Sequence, residues 1–353
     1  MRRHLRSVVD TPHPLAYKGY TQEGDKMKYR KDNDRSQYLG ASEAPAVLFG
    51  HHSHEEAPVG MPKYLSAFDV WSKKLGNAGA EVDAASTARG HHLEDAVFKW
   101  GCEKVGAIEF TRGGDYNSPP VQGPRPWAAF HPDGSLSIAE PRSWADNIVE
   151  VKVYRDGKGW DDDAIPAWVA AQVTYQLACC PVYIKGCYIF AYITSRPDDV
   201  IARYVERDPA KETAMLDLCE AWWNKHVVAN IPPEFDGSDG ADSYLLNKHP
   251  RQTAPLDDAD DAERLTLDEL MSVRAKLASL KAEDKRLSQI LKDHIGDREG
   301  VYVEGIGKAT WKWQKGREGF DKKSMADQCP HLYETFVTTG KETRVLRLPK
   351  VVK

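Results

Sequence analysis

What this sequence lacks narrows it first. No stretch approaches the ~18 consecutive apolar residues of a membrane span, and the opening residues carry no signal-peptide hydrophobic core. A cytoplasmic protein with no membrane partner is expected. The six cysteines (Cys102, Cys179, Cys180, Cys187, Cys219 and Cys329) contain no C-x-x-C pair and no zinc or iron–sulfur spacing. They read as reduced, mostly buried thiols. His51, His52 and His54 crowd one Gly/Pro-bounded stretch without a distal ligand to complete a metal site, which favours a solvated loop. There are no tandem repeats. Nor is there a basic excess: 48 Lys and Arg against 53 Asp and Glu leave a net charge of −5, which argues against a protein that coats nucleic acid. Function must therefore come from local constellations.

What is present fits one large domain or two smaller ones: 353 residues with 41% hydrophobic content. Residues 1–35 are charged, carry scattered Pro and Gly and show no period, so a flexible arm is expected. Over 36–230 the pattern tightens. Helices are predicted over 42–49 with Ser42 as N-cap and Gly50 as stop, over 66–75, and over 84–105 with Leu93, Ala96, Val97 and Trp100 facing inward. Strands follow over 127–130, 135–138 and 148–154, then a helix over 166–180. Two further strands (183–193, 200–205) and a helix (209–228) complete an α/β domain with a mixed sheet flanked by helices. Residues 231–264, rich in Pro and Gly, read as a linker. Beyond it, 265–353 reads as a small α+β accessory module. Its long helix carries Leu270, Val273, Leu277, Leu280, Leu287 and Leu291 at three-four spacing and is expected to pack on its own domain. A hairpin around Gly305-Ile306-Gly307, a short helix near 324–336 and a last strand over 344–348 follow. Trp311 and Trp313 alternate with basic residues there; packing within the module fits better than stacking on single-stranded bases.

The segment of greatest chemical interest is Ile148-Val149-Glu150-Val151-Lys152-Val153. Strict alternation makes it a strand with Glu150 and Lys152 on one face and the valines on the other. Upstream, Pro132-Asp133-Gly134 is ordinary turn chemistry taken alone. Together the two segments bring carboxylates suited to Mg²⁺, a hard cation, beside an ammonium able to stabilise charge on a phosphodiester. Asp133 and Glu150 are the candidate metal ligands, with the Val151 carbonyl as a further donor and Lys152 beside the attacking water. Three features support this. Glu94 borders the apolar stripe of its helix. Gln172, Tyr175 and Gln176 share a helix face, where they could hold water or contact DNA. Arg35 precedes a capping Ser42, a ready phosphate site.

The order Arg35…Gly40-Ala41-Ser42-Glu43, Arg89-Gly90…Leu93-Glu94, Pro132-Asp133-Gly134, Glu150-Val151-Lys152 and Ala171-Gln172-Val173…Tyr175 resembles the lambda-exonuclease-like, YqaJ-type viral recombinase family of PD-(D/E)XK nucleases. The likeness spans roughly residues 35 to 230. It implies a restriction-endonuclease-like mixed sheet and a Mg²⁺- or Mn²⁺-dependent 5′→3′ exonuclease acting on linear duplex DNA ends. Such an enzyme is phage- or prophage-encoded and leaves a 3′ overhang for a single-strand annealing protein. By the same resemblance Glu94 is a third carboxylate, Gln172 positions water, Arg35 and Ser42 meet the 5′ phosphate, and the protein is a homo-oligomeric ring. The basic residue expected after the strand is Arg155 or Lys158. His131 departs from the small residue often found before Pro-Asp-Gly. An endonuclease of the same fold and a non-catalytic end-binding scaffold are the alternatives.

Overall fold

In a computed structural model of the chain, strand β6 (Asn147–Tyr154) forms the spine of a five-stranded sheet. The residues described are 27–31, 33–50, 58, 66–76, 84–113, 118–138, 145–195, 199–316, 319–338 and 346. Residues 1–26 of the expected arm, the histidines at 51, 52 and 54, and the expected last strand apart from Leu346 lie outside them; the rest of the arm is not a free segment, since Tyr29 bridges Val121 and the Arg30 amide donates to the Pro120 carbonyl at 2.9 Å. The chain divides into two compact units, 1–248 and 249–353.

The sheet order is β2-β5-β6-β7-β8, from strands β2 (Glu109–Arg112), β5 (Gly134–Ser137), β6, β7 (Gly186–Ile193) and β8 (Ile201–Glu206). β6 and β7 run parallel over eight residue pairs, from Asn147↔Gly186 to Tyr154↔Ile193, while the other neighbours are antiparallel. A parallel pair needs a crossover, here helix α4 (Ala167–Cys179). Sheet and helices thus form the mixed α/β layer arrangement that the sequence predicts.

Alternation along β6 sorts the two cores. Val149 and Val151 pack on one face with Val97, Phe98, Leu136 and Phe190, under helix α3 (Ala84–Lys104). Ile148 points to the other face and joins Ile189, Ala191, Val169, Val173 and Leu177 beneath α4. A second, three-stranded sheet joins β1 (Leu39–Gly40), β4 (Ala128–Phe130) and β3 (Val121–Gln122). β1, β2 and β3 are too short to show a period and were not predicted.

Several expectations need correction. α3 is turned relative to its predicted stripe: Ala96 is exposed and Trp100 is 39% exposed, whereas Phe98 is fully buried. The reason is Gly101, where a Cβ would stand 2.2 Å from the Phe190 ring; its bare backbone lets α3 lie directly on β7. The helix of 209–228 is α5 (Pro209–Trp222) followed by a π-turn, Trp223–Val228. The stretch 231–264 is not a plain linker. It holds helix α6 (Asp239–Lys248), which packs on helix α2 (Ala67–Lys74) through Ala241 and through Tyr244 against Phe68 and Trp71. Gly240 reads as a breaker in the sequence, but it is a contact point: a Cβ there would meet Asp69 Oδ1 at 1.9 Å.

The second unit contains α7 (Asp261–Ile295), a hairpin of β9 (Gly300–Val303) and β10 (Gly307–Thr310), and helices α8 (Lys322–Gln328) and α9 (Pro330–Phe336). Asp260 and Glu263 cap α7 reciprocally. Leu277, Leu280 and Leu287 are about half or more exposed, so the expected packing of this helix is not found among the described residues. Trp311 and Trp313 are exposed as well. No described helix is long and apolar enough to cross a membrane.

Gly101→Ala tests the α3–β7 contact. Alanine gains up to ~1 kcal/mol of helix propensity, but overpacking against Phe190 costs about 1–3 kcal/mol. Net destabilisation is expected in urea melts, with Phe190→Leu restoring part of it. A stabilised Gly101→Ala would contradict this packing.

Candidate active site

A carboxylate on a buried strand face needs partners, and Glu150 has three. It is 3% exposed, and its Oε1 accepts from Lys152 Nζ at 2.5 Å and from Gln172 Nε2 at 2.7 Å. Its Oε2 accepts from Gln176 Nε2 at 2.6 Å. Lys152 also donates to Gln172 Oε1 at 3.0 Å and lies 5.7 Å from the Trp168 ring centre. Strand period puts Glu150 and Lys152 on one face, as predicted, and α4 lies over that face. Helical period puts Trp168, Gln172 and Gln176 in one row above them.

Asp133 approaches from the neighbouring strand. Beyond the last β5–β6 pair, Gly134↔Val149, its Oδ2 accepts from the Val151 amide at 2.7 Å. In an extended strand a residue's amide and carbonyl leave on the same side, so the Val151 carbonyl faces the Asp133 side of β6. The turn is braced from β2: Arg112 Nη1 and the Gly113 amide both donate to the Asp133 carbonyl, at 2.7 and 2.9 Å. Gly113 is bare for a reason, since a Cβ would meet the Pro132 oxygen at 1.8 Å. Arg112 Nη2 also holds Glu94 Oε1 at 3.0 Å, with the guanidinium over the Phe98 ring. His131 is tied to the Ser118 carbonyl at 2.9 Å.

The electrostatics follow from this crowding. Burial raises the Asp133 carboxyl well above its ordinary range, and the charges of Glu150 and Glu94 push it further. Burial alone would lower the Lys152 ammonium, but Glu150, Tyr154 and Asp133 hold it above its usual value. These neighbours favour the charged ammonium of Lys152.

The donor set Asp133, Glu150 and the Val151 carbonyl is all oxygen, and a bound cation would relieve the negative charge that adds to the effect of burial on Asp133. Among the described residues no three His, Cys, Asp or Glu side chains close into a metal cage. Glu94, expected as a third carboxylate, is turned to Arg112. Two carboxylates and a carbonyl still suit Mg²⁺, which is usually held by one or two carboxylates and keeps several waters.

The other predicted residues divide. Gln172 joins the cluster. Gln176 does too, gripping Glu150 from 1% exposure, so it is not at a DNA-facing surface. Tyr175 is likewise not a DNA contact: it is fully buried, and its hydroxyl donates to the Leu39 carbonyl at 2.7 Å, tying α4 to β1. Ser42 is exposed and caps nothing. Helix α1 (Ala44–Phe49) has Glu43 at its N-cap; had Ser42 been the cap, its N3 partner would be Pro45, which has no amide to give. Glu43 instead accepts from the Gly40 amide and from buried Lys74, whose Nζ also donates to the Arg35 carbonyl at 2.7 Å. Burial lowers the Lys74 ammonium and Glu43 opposes that shift. Lys158 and Arg155 are both exposed in the loop after β6. Sequence reasoning missed Arg112, Lys74 and Trp168. Only Trp168 had a signal, lying four residues before Gln172.

No family model and no curated protein matches the chain. It is similar to two solved structures of LHK-Exo, an alkaline exonuclease from Laribacter hongkongensis. One, in complex with dAMP, is 16% identical with a TM-score of 0.41, covering 61% of this chain and 95% of that one. The other is 17% identical with a TM-score of 0.40, covering 61% and 94%. Likeness at this level does not assign the chain to a family.

The raised Asp133 carboxyl has a consequence for stability. A carboxyl whose folded pKa lies above its unfolded value stabilises the fold at low pH, and that contribution is lost as pH rises through the folded pKa. Asp133→Asn keeps an acceptor for the Val151 amide and removes the charge. The variant is expected to melt above the wild type at pH 8, with the gap closing towards pH 4. A constant gap across that range would show that Asp133 carries no such strain.

Proposed function

We propose that this chain is a divalent-metal-dependent deoxyribonuclease that degrades linear duplex DNA from its 5′ ends. The observation that carries the reading is the cluster of Asp133, Glu150 and Lys152 where β5 and β6 separate, with Gln172 bridging Glu150 and Lys152.

Asp133, Glu150 and the Val151 carbonyl would hold Mg²⁺ or Mn²⁺, which supplies Lewis-acid charge at a phosphoryl oxygen and makes its bound water more acidic. The protein's own groups do the rest. Lys152, kept protonated by its acidic neighbours, stabilises the negative charge that builds on the phosphoryl oxygens. Gln172 aims that ammonium by accepting from it while donating to Glu150, so neither group can swing alone. Trp168 covers the ammonium on one side. Arg35 and the exposed Ser42, with Lys74 beneath them, offer a cationic, hydroxyl-bearing segment for a terminal 5′ phosphate, and Arg155 or Lys158 can track the backbone. The family resemblance extends the reading to a homo-oligomeric ring that leaves 3′ overhangs for a single-strand annealing protein.

The test is a linear duplex with a 5′ phosphate on one end only and each strand separately labelled, given Mg²⁺, Mn²⁺ or EDTA. Metal-dependent loss of the phosphorylated strand from its 5′ end is expected, with covalently closed circles spared. Asp133→Ala, Glu150→Ala and Lys152→Ala should each lower the rate by about 10²-fold or more while the protein stays folded. Activity retained in all three would overturn the reading, and cleavage of closed circles would replace the exonuclease with an endonuclease.

A further inference from the structure

Gln176 stands out because only half of it is satisfied. Its Nε2 donates to Glu150 Oε2 at 2.6 Å, an orientation fixed by chemistry, since the oxygen end of an amide would be repelled by a carboxylate. Its Oε1 is buried and has no hydrogen-bond partner. The residue as a whole is 1% exposed. An unpaired acceptor at that depth costs stability, and an apolar side chain of similar volume would fill the space without it. The side-chain hydrogen bond it makes goes to Glu150, so what the amide contributes is directed at that carboxylate.

Gln172, one helical turn earlier, makes a useful contrast. Its Nε2 binds the other oxygen of Glu150, but its Oε1 is occupied by Lys152. Gln172 therefore couples two groups to each other, whereas Gln176 acts on Glu150 alone. With Gln172 and Lys152 on Oε1 and Gln176 on Oε2, the plane of the carboxylate is fixed from both ends. Losing Gln176 would leave the group held at one oxygen and free to turn about its last bond.

We propose that Gln176 is a positioning residue that fixes the Glu150 carboxylate for a divalent cation and thereby sets the affinity of that site. The inference rests on the metal-dependent reading given above. Partners that orient a ligating carboxylate typically change metal affinity by about 10- to 100-fold when removed, although they never touch the ion.

The experiment is a Mn²⁺ titration of the full chain, followed by electron paramagnetic resonance without DNA. Four single variants are compared: Asp133→Asn, Glu150→Gln, Gln176→Met, which keeps length and volume, and Gln176→Asn, which stays polar but withdraws the donor by one methylene. Circular dichroism confirms that each is folded. Both Gln176 variants are expected to bind Mn²⁺ about 10- to 100-fold more weakly than the wild type. In a Glu150→Gln background, Gln176→Met should add no further loss, because the two act as one unit; a merely structural contribution would add instead. Wild-type binding that depends on Asp133 and Glu150 but is unchanged within twofold in both Gln176 variants would overturn this inference and leave the nuclease reading intact. Wild-type binding that does not depend on Asp133 and Glu150 would remove the metal site itself, and this inference with it.

Discussion

Taking a carboxylate almost wholly out of water costs several kcal/mol unless charge and hydrogen bonds are returned to it. Glu150 stands in that position on the central strand, and much of the first unit can be understood as the means of returning them. Lys152 comes from the same strand two residues on, which requires β6 to stay regular. Gln172 and Gln176 come from one row of α4, which requires that helix to cross the sheet at one rotation and height. The parallel β6–β7 pairing demands a crossover helix, so the topology that creates the need also supplies the answer. Tyr175 lies beside these glutamines in the sequence but turns away, and its bond to the Leu39 carbonyl carries the constraint to β1 and so to the segment of Arg35 and Ser42.

The central strand and its two faces were legible because a period of two runs the length of β6, and the flanking helices were legible in extent from their start and stop residues, though the inward stripe of α3 was not. The pairing of Glu150 with Lys152 could be read from that strand period. What escaped was either too short or depended on contact. β1, β2 and β3 are two to four residues long, and no pattern can declare itself over that length. The rotation of α3 is set by Gly101 meeting Phe190, which no single-segment pattern contains. α6 was hidden by its own glycine, since a residue needed for close approach to Asp69 looks the same in sequence as one that breaks a helix. Polar residues on the α4 face were assigned outward by default, when Gln176 and Tyr175 are among the most deeply buried side chains of that helix. Their direction is settled by Glu150 and Leu39, which are distant in sequence.

Charge explains why the site is poised rather than relaxed. Burial raises the cost of ionising Asp133, the charges of Glu150 and Glu94 add to it, and the neighbouring cations are shared out unevenly: Lys152 serves Glu150, and Arg112 serves Glu94. Asp133 receives a backbone amide and, among the described residues, no cation by direct bond. An arrangement of this kind gives up some stability, a cost common where a fold carries chemistry and one that the proposed metal would offset.

The bond between Asp133 and the Val151 amide has a mechanical meaning as well. It occupies the place where the next rung of the β5–β6 ladder would stand, so a side chain finishes what the backbone has stopped making. The sheet unzips at that point, and the two strands can part without leaving an amide unserved. A single side chain thus holds the end of the β5–β6 ladder, and its loss would free the Val151 amide at the point where the two strands part.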